Sequence, residues 1–150
     1  MATYKVGRAE KIANLAAKLM VRAGMGPGRI HLLTVVGRKT GRSFTTPVTI
    51  LESEAGRWLV APYGTVAWVK NARASGRVTL SRRGYRQTLA VREVEPATAA
   101  PILKAYLAIE PITRSAFGLS ADAPLEEWQA IAPKHPVFRL EPLPTPHNPG

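Results

Sequence analysis

No cysteine occurs among the 150 residues. Disulfides, zinc–thiolate sites, iron–sulfur clusters and thiol nucleophiles are therefore all excluded. A chain of this kind suits a reducing compartment, and a cytoplasmic protein is expected. Long apolar runs are missing too: nothing approaches the roughly 20 residues of a membrane-spanning helix. The opening MATYKVGRAEKIANLAAKLM also lacks the unbroken apolar core of a secretory signal. Acidic residues are scarce, 10 Asp and Glu against 21 Lys and Arg, for a net charge of +11. The imbalance is local. Residues 1–92 hold 17 cations against Glu10, Glu52 and Glu54, whereas residues 93–150 hold 4 against 7 acids. Such an excess concentrates anions and speeds their association without choosing among nucleic acid, anionic lipid and a phosphorylated cofactor. The three histidines, His31, His135 and His147, have neither metal-ligand spacing nor partners for a catalytic triad. His31, in an apolar strand, reads as structural.

What is present fits one domain, since a chain of this length buries roughly 70% of its unfolded surface around a single core. From Arg8 to Arg22, Ile12, Leu15, Ala16, Leu19 and Met20 recur with the period of an amphipathic helix. Gly24, Gly26, Pro27 and Gly28 end it; the G-x-G-x-G they form follows a helix and not a strand, so it is no dinucleotide-binding turn. His31 to Val36 and Phe44 to Leu51 read as a β-hairpin around GRKTGRS, with Arg57 to Ala61 as the next strand. A short helix is expected over Val66 to Ser75 with Gly76 as its stop, then a second hairpin from Val78 to Arg82 and Gln87 to Val94 around Arg83-Gly84-Tyr85. Pro96 opens a helix to about Ile109 that buries Ile102, Leu103, Tyr106 and Leu107. Another helix follows, capped by Asp122, with Pro124 in its first turn and Trp128 and Ile131 facing the core. Val137 to Leu140 is the last strand, and Pro142, Pro144, Pro146 and Pro149 keep the tail from extending it. The divisions are thus 1–28, helix and linker; 29–141, an antiparallel barrel; and 142–150, a proline-rich tail.

The loop Gly37-Arg38-Lys39-Thr40-Gly41-Arg42 carries the clearest chemistry: three cations and a hydroxyl within six residues, on a turn whose glycines leave backbone N–H groups approachable. It forms an anion cradle. The spacing and the absence of a following helix separate it from the Walker loop.

LLTVVGRKTGRxxTTP, then LVAPYG, then AWVKNARA, in that order over about residues 30 to 95, resemble the deazaflavin (F420)-dependent nitroreductase family. The resemblance implies an α+β fold built on a six-stranded antiparallel split β-barrel related to the FMN-binding barrels. It also implies a coenzyme F420-dependent reductase that passes a hydride from reduced deazaflavin to a small organic acceptor. By position, Arg38, Lys39 and Arg42, with Thr40 beside them, would face the cofactor's phosphate and glutamate tail. Thr46, Pro47, Val48 and Thr49 would line its ring, and Ala61, Pro62, Tyr63 and Gly64 would form the opposite border. Trp68, Asn71 and Arg73 match the family's helix that closes one end of the groove and adds a cation. Chemistry would belong to the cofactor, with the protein supplying orientation and a proton route; Tyr63 is a weak candidate donor.

Three departures from better-known members stand out. The Tyr63 to Val66 loop lacks a lysine-containing insertion, Phe44 stands where a basic residue is common, and residues 100–135 hold only Tyr106, Phe117 and Trp128 in place of a tyrosine cluster. The competing readings are an FMN or other cofactor barrel without turnover, and a basic protein that binds nucleic acid or an anionic membrane. Nucleic acid is not expected, since no binding signature or aromatic platform is present. A peripheral membrane contact would run through the Arg8 to Arg22 helix. Monomer and homodimer are both compatible with the sequence.

Overall fold

The computed structural model describes residues 29–143. The expected N-terminal helix and the tail from residue 144 lie outside the described residues. Six strands, β1 (Ile30–Val36), β2 (Ser43–Ser53), β3 (Gly56–Val60), β4 (Arg77–Arg82), β5 (Tyr85–Glu93) and β6 (Val137–Pro142), close a barrel in the order β1-β2-β3-β6-β5-β4. Every pairing is antiparallel, and β1 seals the ring against β4 through Leu32↔Ser81, Leu33↔Leu80 and Thr34↔Thr79.

The two-residue alternation of each strand decides what lies inside. Leu33 and Val35, Val48 and Ile50, Leu59 and Ala61, Val78 and Leu80, Leu89 and Val91, and Phe138 and Leu140 point into one apolar cluster. Helix α1 (Ala67–Ser75) adds Val69 and Ala72 to that cluster, so it stoppers one end of the barrel. Gly76 stops α1 at φ 73°, its N–H bonded to Ala72 O at 2.8 Å, as the sequence predicts.

A second core lies outside the barrel. Trp58, Val60 and Val137 project from the outer face of β3 and β6 and are covered by α2 (Pro96–Ile109), α3 (Arg114–Phe117) and α4 (Leu125–Ile131). Ile102, Leu103, Tyr106 and Leu107 of α2 are buried there as expected, and Trp128 is wholly buried.

Several boundaries differ from the sequence reading. Asp122 does not cap α4: the cap position is Pro124, with no side-chain cap bond, because the chain first makes a turn that buries Ala123 through Ala123 N–H to Ser120 O. Tyr85 belongs to β5 and not to the turn, and Pro142 ends β6 opposite Leu89, where a missing N–H at a strand terminus is tolerated. The one-turn α3 and the 3-10 turns Pro111–Thr113 and Ala132–Lys134 are too short to show a period in the sequence.

Candidate cofactor site

The loop between β1 and β2 is built by its glycines. Gly37 N–H bonds to Arg42 O at 2.7 Å and Gly41 N–H to Gly37 O at 2.9 Å. Gly41 adopts φ 74°, and a Cβ on Gly37 would sit 2.7 Å from the Phe44 ring, so neither position accepts a side chain without movement. Phe44 thus occupies the position of the common basic residue by packing its ring on the loop's base. Thr40 Oγ1 accepts the Arg42 N–H at 3.3 Å, which turns its hydroxyl inward on the loop.

Asn71 explains how this tip keeps its shape. Buried on α1, its Oδ1 accepts both the Arg38 backbone N–H (3.1 Å) and Arg38 Nη1 (2.8 Å). Asn71 therefore anchors the loop from beneath, and Arg38 is partly engaged in that anchor. Lys39 and Arg42 are exposed and have no side-chain partner among the described residues. Arg73, for which the resemblance implies a cation at the groove, instead makes a two-pronged ion pair with Glu93 (Nε to Oε1 2.7 Å, Nη2 to Oε2 2.8 Å). That pair raises the Arg73 pKa and ties α1 to β5, offsetting the charge locally.

Thr46, Pro47, Val48 and Thr49 lie where the barrel splits. β2 follows β1 throughout, from Ile30↔Thr49 to Val36↔Ser43, but its register with β3 ends at Ile50↔Leu59. The chain after β3 stays instead with β6, through Val60↔Val137 and Ala61 N–H to Pro136 O at 2.9 Å. Ile50 N–H bonds toward β1, at Arg29 O, so by antiparallel alternation the backbone groups of Thr45, Pro47 and Thr49 face away from β1. Among the described residues no strand continues that edge. Pro47 suits it, having no N–H to leave unpaired. The register carried forward sets Ala61 to Gly64 on the far side of the gap.

This far border is fastened from behind. His135, buried, has Nδ1 at 2.8 Å from Pro62 O; since a carbonyl only accepts, Nδ1 carries the hydrogen. Burial lowers the His135 pKa, and its ring stands edge-on to Phe117 at 4.9 Å. Gly64, at φ 90°, passes so close to Lys134 O that a Cβ would lie 3.3 Å away. Sequence reasoning missed His135, because a lone histidine before a short strand carries no signal of a carbonyl 73 positions earlier.

Around the groove, Tyr63 is 66% exposed. Trp68 is half-buried with its ring 6.1 Å from Phe138, so it meets the barrel core at the stoppered end. The Thr49 hydroxyl turns to the outer face and donates to Glu110 Oε1 at 2.9 Å, while Arg29 Nε lies 3.7 Å from the same oxygen. Beside it the Tyr106 phenol is pushed up to about 12, mainly by burial and then by Glu110. It keeps its proton at neutral pH. A cleft of about 540 Å³ on the helical side, lined by Pro111, Ile112, Arg114, Gly118 and Leu119 among others, includes none of the predicted site residues. Among the described residues no three His, Asp or Glu side chains converge to hold a metal.

An F420-H2 dependent reductase, FDR-A, shares 22% identity over 76% of this chain and 95% of its own, with a TM-score of 0.50. A protein solved as a domain-swapped dimer shares 21% over 89% and 94%, at 0.55. A putative pyridoxamine 5'-phosphate oxidase from Listeria innocua shares 12% over 77% and 85%, at 0.52. At these identities the likeness is one of fold, the split barrel. No protein of curated function matches the chain. The F420H(2)-dependent quinone reductase family model matches residues 9–112, more than two thirds of the sequence, and the chain belongs to that family of oxidoreductases.

Proposed function

We propose that the chain binds reduced F420 across the β1–β2 loop and the split between β2 and Ala61–Gly64, and uses it to reduce a small organic acceptor of the quinone class. The observation that carries this reading is the β2 edge at Thr45–Thr49, left without a paired strand among the described residues, lying next to a three-cation loop pinned by Asn71. The donor set fits the cofactor. A polyanionic tail needs exposed cations on a preformed turn, and a ring with amide-like edges needs unpaired backbone groups beside it.

When bound, the reduced deazaflavin supplies a hydride in one two-electron step. The protein's own part is binding, orientation and proton supply. Lys39 and Arg42 hold the anionic tail, Arg38 adds a cation while bracing the loop, and Thr40 shapes the turn. Thr46, Pro47, Val48 and Thr49 border the ring on one side. Ala61, Pro62 and Gly64 border it on the other, held by His135, and Trp68 and Asn71 close the end near α1. Tyr63, exposed on that border, is the candidate proton donor to the reduced acceptor, a role for which the buried Tyr106 has no access to solvent.

Lys39→Ala combined with Arg42→Ala leaves the Asn71 anchor intact and isolates tail binding from folding. Deazaflavin affinity, followed by quenching of Trp58, Trp68 and Trp128, should weaken by about 3 kcal/mol, while FMN, titrated in parallel, binds the wild type less tightly. Unchanged deazaflavin affinity in the double variant, or a preference for FMN, sinks the reading.

A further inference from the structure

We propose that the outer face of β4, β5 and β6 is a docking surface for an anionic lipid bilayer. It stands apart from the cofactor site. With Val78 and Leu80, Leu89 and Val91, and Phe138 and Leu140 pointing inward, alternation turns Arg77, Arg86, Arg92 and Arg139 outward on three adjacent strands, and all four are exposed. Arg92 lies directly opposite Arg139 across the β5–β6 ladder, and Arg86 opposite Ser81 on β4. Like charges facing each other across a ladder destabilise a sheet. Folding alone therefore gives no reason for this pattern.

Among the described residues, partners relieve one of the four. Arg139 stacks over Trp58 at 5.7 Å, donates to Ala55 O at 3.2 Å and has Glu141 at 4.0 Å. The side chains of Arg77, Arg86 and Arg92 have no partner among the described residues. Between them the face is low and polar, with Thr79 and Thr88 joined through their hydroxyls at 2.8 Å and Ala90 beside them. Arg86 and Arg92, six residues apart on one strand, spread the charge over about 20 Å.

Charge complementarity requires an anionic partner, and relief selects which. Among the described residues the face offers no exposed ring on which a base could stack, since Trp58 is buried beneath Arg139 and Tyr85, on the other side of β5, packs against His31 and Arg57, and it has no helix or ridge to enter a groove. A plane of lipid phosphates matches a broad face of guanidinium forks, each able to take two oxygens at once.

The full chain should pellet with vesicles of phosphatidylcholine mixed with phosphatidylglycerol, not with phosphatidylcholine alone, and should be released by salt. The variant Arg77→Gln/Arg86→Gln/Arg92→Gln should lose on the order of tenfold to a hundredfold in vesicle affinity. Lys39→Ala/Arg42→Ala should bind vesicles as the wild type does. If the triple variant fails to fold, Arg86→Gln and Arg92→Gln singly, each several-fold weaker, decide the matter. Undiminished binding by a folded variant, equal binding to neutral vesicles, or retention on duplex DNA without binding to mixed vesicles overturns the proposal.

Discussion

Two buried polar side chains, Asn71 and His135, brace the two borders of the candidate site. Asn71→Ala takes away the Oδ1 that accepts the Arg38 N–H, so the loop 37–42 should exchange its amide hydrogens faster while the strands do not. Equal exchange in the variant would mean that the glycines alone fix the turn. His135→Phe keeps a ring against Phe117 but leaves Pro62 O without its donor, an expected loss of about 1 to 3 kcal/mol in stability. Asn at 135 can still donate from the Nδ1 position and should recover part of it; denaturant melts of the three proteins settle the order. The histidines also set a pH dependence. Burial lowers the pKa of both His31 and His135 below 6.5. The unfolded chain therefore takes up protons below pH 6.5 that the folded chain resists, so stability is full above 6.5 and declines as the pH falls through the folded values. A melting temperature that rises on acidification from pH 7 to 5.5 contradicts this.

At the scale of elements, period and punctuation made most of the barrel legible. Alternating runs bounded by Gly37, Gly56 and Gly84 yield the strands, and Gly76 yields the end of α1, because turn chemistry is local and readable. Strand order is not local: that β6 inserts between β3 and β5 depends on pairings such as Leu59↔Phe138, separated by most of the chain. The loop cations were legible for the same reason as the turns. The split beside Thr46–Thr49 was legible only through the family resemblance and not from local pattern, since it arises where β3 leaves β2 for β6. Nor was the ion pair of Arg73 with Glu93, which joins the end of α1 to the end of β5. An element-level prediction follows from Gly37, whose missing Cβ leaves room for Phe44. Gly37→Ala should push the ring aside, loosen the hairpin and weaken deazaflavin binding, and pairing it with Phe44→Leu should recover affinity. No recovery would place the fault in the backbone and not in the ring contact.

For the whole molecule, charge is the dominant feature. A net charge of +11 repels itself in the compact state more than in the extended chain, and the four ion pairs among the described residues are all at least partly exposed, where such pairs add little. Screening should therefore relieve more repulsion than it removes attraction, and the melting temperature should rise between low ionic strength and about 0.3 M salt at pH 7.5, as the Debye length falls below the spacing of the arginines. The triple replacement of Arg77, Arg86 and Arg92 by Gln lowers the charge by three, from +11 to +8, and removes the Arg92–Arg139 opposition. That variant should melt higher than the wild type at low salt, with the gap closing as salt is added. A lower melting temperature would mean that the arginine stems pack on the sheet and contribute to the fold. A higher one, together with weakened vesicle binding, would mean that the three arginines serve the surface they face at some cost to stability.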